Sequence, residues 1–100
     1  MKHGVSVIFT LLFLLAPASA LDVPYLSGHI NDNARLLSAE MVSELEAMLS
    51  AYEDSTGNQI VLLTIPSLED ESLEEFSLRV AETWKLGQKG VDNGALLLIA

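Results

Sequence analysis

From Leu37 onward the apolar positions fall three and four residues apart: Leu37, Met41, Leu45, Met48 or Leu49, and Tyr52. That period marks one face of an α-helix. Glu40, Ser43, Glu44, Glu46, Ser50 and Glu53 fill much of the other side. Ser38 suits the N-cap, and Glu40 in the first turn meets the positive end of the helix dipole. The pattern predicts a helix over 39–54. Ser55-Thr56-Gly57-Asn58 stops it, with Gly57 fitted to a left-handed C-terminal cap.

The period then changes. Gln59-Ile60-Val61-Leu62-Leu63-Thr64-Ile65 is β-branched, almost continuously apolar and closed by Pro66, which predicts a strand buried on both faces. Ser72-Leu73-Glu74-Glu75 opens a second helix as a capping box, Ser72 capping the Glu75 amide while Glu75 reaches back. Leu73, Phe76, Val80 and Trp84 make its apolar stripe over 73–86, with Lys85 in the last turn and Gly87 at the end. Gly90-Val91-Asp92-Asn93-Gly94 is a dense turn. Ala95-Leu96-Leu97-Leu98-Ile99-Ala100 is then apolar to its last residue, a second strand of the doubly buried kind.

Strand 59–65, helix 73–86 and strand 95–100 form a βαβ unit, expected to be right-handed with parallel strands. The first helix packs on one sheet face. The expected fold class is α/β, a three-layer sandwich with a mostly parallel sheet. Ahead of these elements, Leu21 to Asn33 reads as an irregular entry broken by Pro24 and Gly28. Its residues 28–33 read as a loop touching the core through Ile30. A doubly buried strand needs neighbours on each side, so the domain is expected to be truncated after strand 95–100.

The first twenty residues follow a different logic. Lys2 precedes the apolar run Val5 to Ala16, and Ala18-Ser19-Ala20 supplies small residues for a peptidase. This is the pattern of a secretory signal peptide, 1–20, cleaved before Leu21. The run is too short to span a bilayer comfortably. The α/β domain is then 21–100. The mature part carries four basic residues (Arg35, Arg79, Lys85, Lys89) against fourteen acidic ones, a net charge of −10. Nucleic acid is excluded as a partner, because phosphates demand Lys and Arg. There is no cysteine. That removes thiol catalysis and the disulfides by which small exported domains offset a small core.

Candidate chemistry is sparse. His29 is the sole mature histidine, no Gly-x-Ser-x-Gly elbow exists, and His29 reads as a surface loop residue. The glycines fit neither the dinucleotide nor the P-loop pattern, so no nucleotide site is evident. Hard cations want oxygen ligands, and Asn31-Asp32-Asn33 and Asp92-Asn93-Gly94 offer them without EF-hand spacing. The same segments also suit loop capping and a turn tolerant of positive φ. Glu69-Asp70-Glu71 with Glu74 and Glu75 reads as a solvated helix N-terminus.

The blocks Ile30 to Ser38, Thr56 to Ile65, Leu73 to Val80 and above all Trp84 to Ala100 together resemble the TPM domain, over roughly Val23 to Ala100. That family takes its name from thylakoid-lumen, photosystem II repair and membrane-modulator proteins. The resemblance implies an α/β sandwich exported across a membrane, periplasmic or extracellular, and tethered where a longer protein adds a membrane helix. It implies a binding or assembly and maintenance module for a membrane protein complex, with metal-dependent acid phosphatase as the alternative. It associates Ca2+ or Mg2+ with the domain. It places Asp32, Asp92 and Asn93 at the family's recurring polar loop positions, as candidate metal ligands. The catalytic residues are left open. The family's domain continues past the strand at 95–100 with further strands and basic residues.

Overall fold

A computed structural model describes residues 20–87 and 93–100. The expected leader up to residue 19 and the turn residues 88–92, Asp92 among them, lie outside the described residues. The described chain runs β1 (Ile30–Asp32), α1 (Ala39–Thr56), β2 (Gln59–Thr64), α2 (Leu73–Thr83), β3 (Gly94–Ile99). The sheet is parallel throughout in the order β1-β2-β3. Ile30, Leu62 and Leu97 share one register level; Asp32, Thr64 and Ile99 share another. The α/β class and the parallel βαβ unit are as the sequence predicts. None of the helices among the described residues is long and apolar enough to cross a membrane.

Side chains alternate between the faces of a strand, and the alternation of β2 separates two unlike environments. Val61, Leu63 and Ile65 point to one face and form the core with Phe76, Val80 and Trp84. Leu96 and Leu98 of β3 pack against this cluster, as do Leu21, Val23 and Leu26 of the entry segment. Phe76 and Val80 are fully buried, and burying such side chains is worth roughly 1.5–3 kcal/mol each. Trp84 anchors the entry segment by donating its indole N–H to the Pro24 carbonyl at 2.9 Å. Hydrophobic burial therefore holds α2 and the entry segment to the sheet.

The other face is held differently. α1 packs on β1 and β2, yet no residue of it is fully buried. The expected stripe faces largely outward: Met41, Met48 and Tyr52 are 42%, 62% and 40% exposed. The half-buried positions are Val42, Leu45, Glu46, Leu49, Ser50 and Glu53. The reason is Glu46, whose carboxylate accepts the backbone N–H groups of His29 (2.8 Å) and Ile30 (3.1 Å) at the entrance to β1. That docking sets the rotation of α1 about its axis.

Three further differences from the expected elements have local causes. Residues 28–33 are not a plain loop, because Ile30–Asp32 pairs with Leu62–Thr64 as β1. Strand β1 is short and two of its residues are polar, so no period betrays it. Helix α2 ends at Thr83 instead of residue 86, and Lys85 turns to φ 55° beyond it. Ser72 accepts the Glu75 N–H at 3.3 Å as expected, while its own proton goes to Glu74. Ser38 and Gly57 cap α1 as predicted.

Candidate functional site

Parallel strands give the sheet a carboxyl end and an amino end, and polar side chains gather at both. Asp32 closes β1 at the carboxyl end. Its Oδ1 accepts the Thr64 hydroxyl at 2.6 Å and the Leu36 N–H at 3.0 Å; its Oδ2 accepts the Leu37 N–H at 2.8 Å. Thr64, almost fully buried, in turn accepts the Ala34 N–H at 3.0 Å. The Thr64 hydroxyl and the two amides hold the Asp32 carboxyl below its ordinary range. Asp32 is thus ionised and poised, and it orders the β1–α1 turn, where Arg35 takes φ 56°. This is the loop-capping role open to Asx residues.

Asn93 lies at the amino end. Its Nδ2 donates to the Gly57 carbonyl at 2.7 Å, and its own carbonyl accepts the Gln59 N–H at 2.9 Å. It ties the C-cap of α1 to the start of β3. The length of β2, five steps from Gln59 to Thr64, separates this end from Asp32; at about 3.3 Å a step that is about 16 Å. One ion cannot be bound by both side chains. Among the described residues no group of three or more His, Cys, Asp or Glu side chains is placed to hold a metal. The described donors therefore do not fit a single site built from Asp32 and Asn93, and Asp92 lies outside the described residues.

The amino end also holds a constellation that sequence reasoning missed. His29 is not a free surface residue: its side chain is 18% exposed and both ring nitrogens meet carboxylates. Nδ1 lies 2.5 Å from Glu46 Oε2, and Nε2 lies 2.7 Å from Glu53 Oε1. Burial pushes the imidazole pKa down, but the hydrogen bonds to Glu53 and Glu46 outweigh it and hold it above its ordinary 6.5. Burial likewise pushes Glu46 up, and its bonds to His29 and the two amides bring it below its ordinary value. An imidazolium donating to both carboxylates clamps β1 to α1. A cavity of about 280 Å³ opens beside it, lined by Leu26, Ser27, Glu53 and Gln59. The partners lie 17 and 24 residues from His29, so no local motif could reveal them.

Glu69, Asp70, Glu74 and Glu75 are exposed, as a solvated helix start requires. Glu71 is the exception: it pairs with Arg79 and accepts the Leu21 N–H.

None of the curated proteins matches the chain. Among solved structures it is similar to the solution NMR structure of the N-terminal domain of a protein from P. gingivalis. The two are 27% identical with a TM-score of 0.67, over 82% of this chain. This chain spans 59% of the length of that structure. The family model described as the TPM domain matches residues 30–100, from the first residue of β1 through β3. By that match, which takes in the whole sheet and both helices, the chain belongs to the TPM domain family.

Proposed function

We propose that this is an exported domain, working in the periplasm or extracellular space as a binding and assembly or maintenance module for a membrane-associated protein complex. The observation that carries the reading is an apolar stripe on the outward side of α1, where Met41, Met48 and Tyr52 are 42%, 62% and 40% exposed. Apolar surface left open beside a strongly acidic remainder suits a protein partner more than a small anion.

The cation belongs to the proposal in a narrowed form: Ca2+ or Mg2+ at Asp32, or at the Asp92–Asn93 turn, but not shared between Asp32 and Asn93. The alternative, a metal-dependent phosphomonoesterase, draws on the family model, whose label carries the word phosphatase. The ionised Asp32 at the carboxyl end, where open α/β sheets bind ligands, favours it.

Native electrophoresis of membranes from cells making the full chain separates the readings. The module migrates with a membrane complex, and Met41→Glu with Met48→Glu, on the exposed side of α1, releases it without changing its melting. A wild-type chain that migrates alone counts against the module. Phosphomonoester turnover that needs Ca2+ or Mg2+ and falls in Asp32→Asn establishes the alternative.

A further inference from the structure

The backbone of Leu21 is gripped on both sides of its α-carbon. Its N–H donates to Glu71 Oε1 at 3.1 Å. Its carbonyl accepts from the Arg79 guanidinium, which also binds the Glu71 carboxylate. Arg79 lies over the Phe76 ring, 5.3 Å from its centre, so the clamp is fixed to the core through α2. A cavity of about 420 Å³ opens beside Leu21, which lines it together with Ala20, Glu69, Asp70, Glu71, Glu75 and Arg79. Four carboxylates against one guanidinium leave the cavity strongly negative. A neutral peptide N–H uses little of that field. The same nitrogen follows Ala18-Ser19-Ala20, the residues that read as a peptidase site.

We propose that the acidic cavity is a receptor for the protein's own new N-terminus, the Leu21 α-ammonium released by a signal peptidase. Water adds across the Ala20–Leu21 peptide bond. Ala20 leaves on the leader as a carboxylate, and the Leu21 nitrogen becomes an amine that takes a proton from solvent. The ammonium then lies where its N–H already meets Glu71, and it supplies the positive charge the cavity lacks. Before cleavage the site holds an uncharged peptide group; after cleavage it holds an ion pair. Processing thereby tightens the entry segment, whose Leu21, Val23 and Leu26 pack on the core. The inference rests on the export reading, and its test separates the two.

The titratable groups lining the cavity are Glu69, Asp70 and Glu71 from the loop and Glu75 and Arg79 from α2, and Asp22 of the entry segment acts on Arg79. An α-amino group ordinarily titrates near 7.7–8.0, and the net negative surroundings raise that value. The stabilisation is fully present below the ordinary value and is lost as pH rises through the raised one. The full chain is produced in an exporting host, the exported product is sequenced from its N-terminus, and the amine is titrated by NMR. The expected product begins at Leu21, its amine titrates above the ordinary range, and its Tm falls by about 4 °C more between pH 8 and 10 than that of Glu71→Gln. Asp70→Asn lowers the amine pKa without touching the Arg79 clamp, at a φ of 69° that asparagine accepts. It carries the test if Glu71→Gln does not fold. A product beginning at another residue overturns the export site and the receptor together. A product beginning at Leu21 whose amine titrates in the ordinary range, unchanged by Asp70→Asn, leaves export standing and overturns the receptor.

Discussion

Asn31 sits in the middle of β1 at 2% exposure, and every hydrogen-bonding position of its amide is used. Its Oδ1 accepts the Ser27 N–H at 2.8 Å and the Ser27 hydroxyl at 2.9 Å. Its Nδ2 donates to the Gly28 carbonyl at 2.9 Å and to the Leu62 carbonyl at 3.2 Å. Asn31→Asp keeps the shape and reverses one half of the chemistry. The Ser27 bonds survive, strengthened by the charge. The other oxygen then faces two carbonyl oxygens, with no proton to offer either. Two lost bonds cost about 2 kcal/mol, and an uncompensated buried charge costs about 3–5 kcal/mol when its partner is removed. The stronger Ser27 bonds return about 1–2 kcal/mol, so the net cost at pH 7 is about 3–6 kcal/mol. For a domain whose total is of order 5–10 kcal/mol, that is a large share. Burial and the facing carbonyls raise the folded pKa of the new carboxyl above its unfolded 3.9 or so. The penalty therefore applies at neutral pH and shrinks as pH falls through that raised value, because a protonated acid regains one donor. Urea melts followed by the fluorescence of Trp84, the single tryptophan and 9% exposed, measure it at pH 7 and pH 4. A deficit under about 1 kcal/mol at pH 7, or one equal at both pH values, refutes the assignment of donor and acceptor at Asn31.

Other perturbations test the remaining parts of the frame. His29, with its raised pKa, stabilises the fold fully below 6.5 and loses this as pH rises through the raised value, whereas Glu46 contributes above its ordinary 4.5 and loses this as pH falls through its lowered one. Attachment of α1 is therefore strongest between these limits, and His29→Gln flattens the alkaline side of a Tm-against-pH curve. Gly87→Ala meets both a φ of 70° and the Gly94 nitrogen 2.9 Å from the new Cβ, so it costs about 1–3 kcal/mol in a urea melt. Phe76→Ala empties a fully buried site and costs about 3–5 kcal/mol, while Met48→Ala, on the exposed side of α1, stays within about 0.5 kcal/mol. Equal losses at those two positions would mean that α1 packs by the face that the spacing suggests.

What the sequence reveals follows from how local each cause is. The β2–α2–β3 unit is legible because its apolar period, the Ser72 cap and the burial of Phe76 and Val80 agree within about forty residues. β1 is invisible because its existence depends on pairing with Leu62–Thr64, about thirty residues away, and not on its own composition. The facing of α1 is misread for a related reason. Met41, Leu45, Met48 and Tyr52 make a better apolar stripe than Val42, Leu45 and Leu49. The carboxylate of Glu46 overrules them by accepting the His29 and Ile30 amides at the entrance to β1 and bonding the imidazole. Asp32 stands out in its Asn-Asp-Asn run, and what it does there, cap a turn and accept Thr64, depends on the same unseen pairing.

The two faces of the sheet give the domain unequal grips on its helices. On the α2 face the grip is mainly apolar, through Phe76, Val80 and Trp84. On the α1 face it consists of charge-assisted hydrogen bonds, and His29 is the residue through which Glu46 and Glu53 act on β1 together. Loss of that imidazolium leaves two carboxylates at the entrance to β1 with one neutral ring between them. β3 is held from the opposite face, by Leu96 and Leu98 against the α2 core. The attachment of α1 thus follows the protonation of His29, while the packing of β3 on the α2 core does not involve that ring.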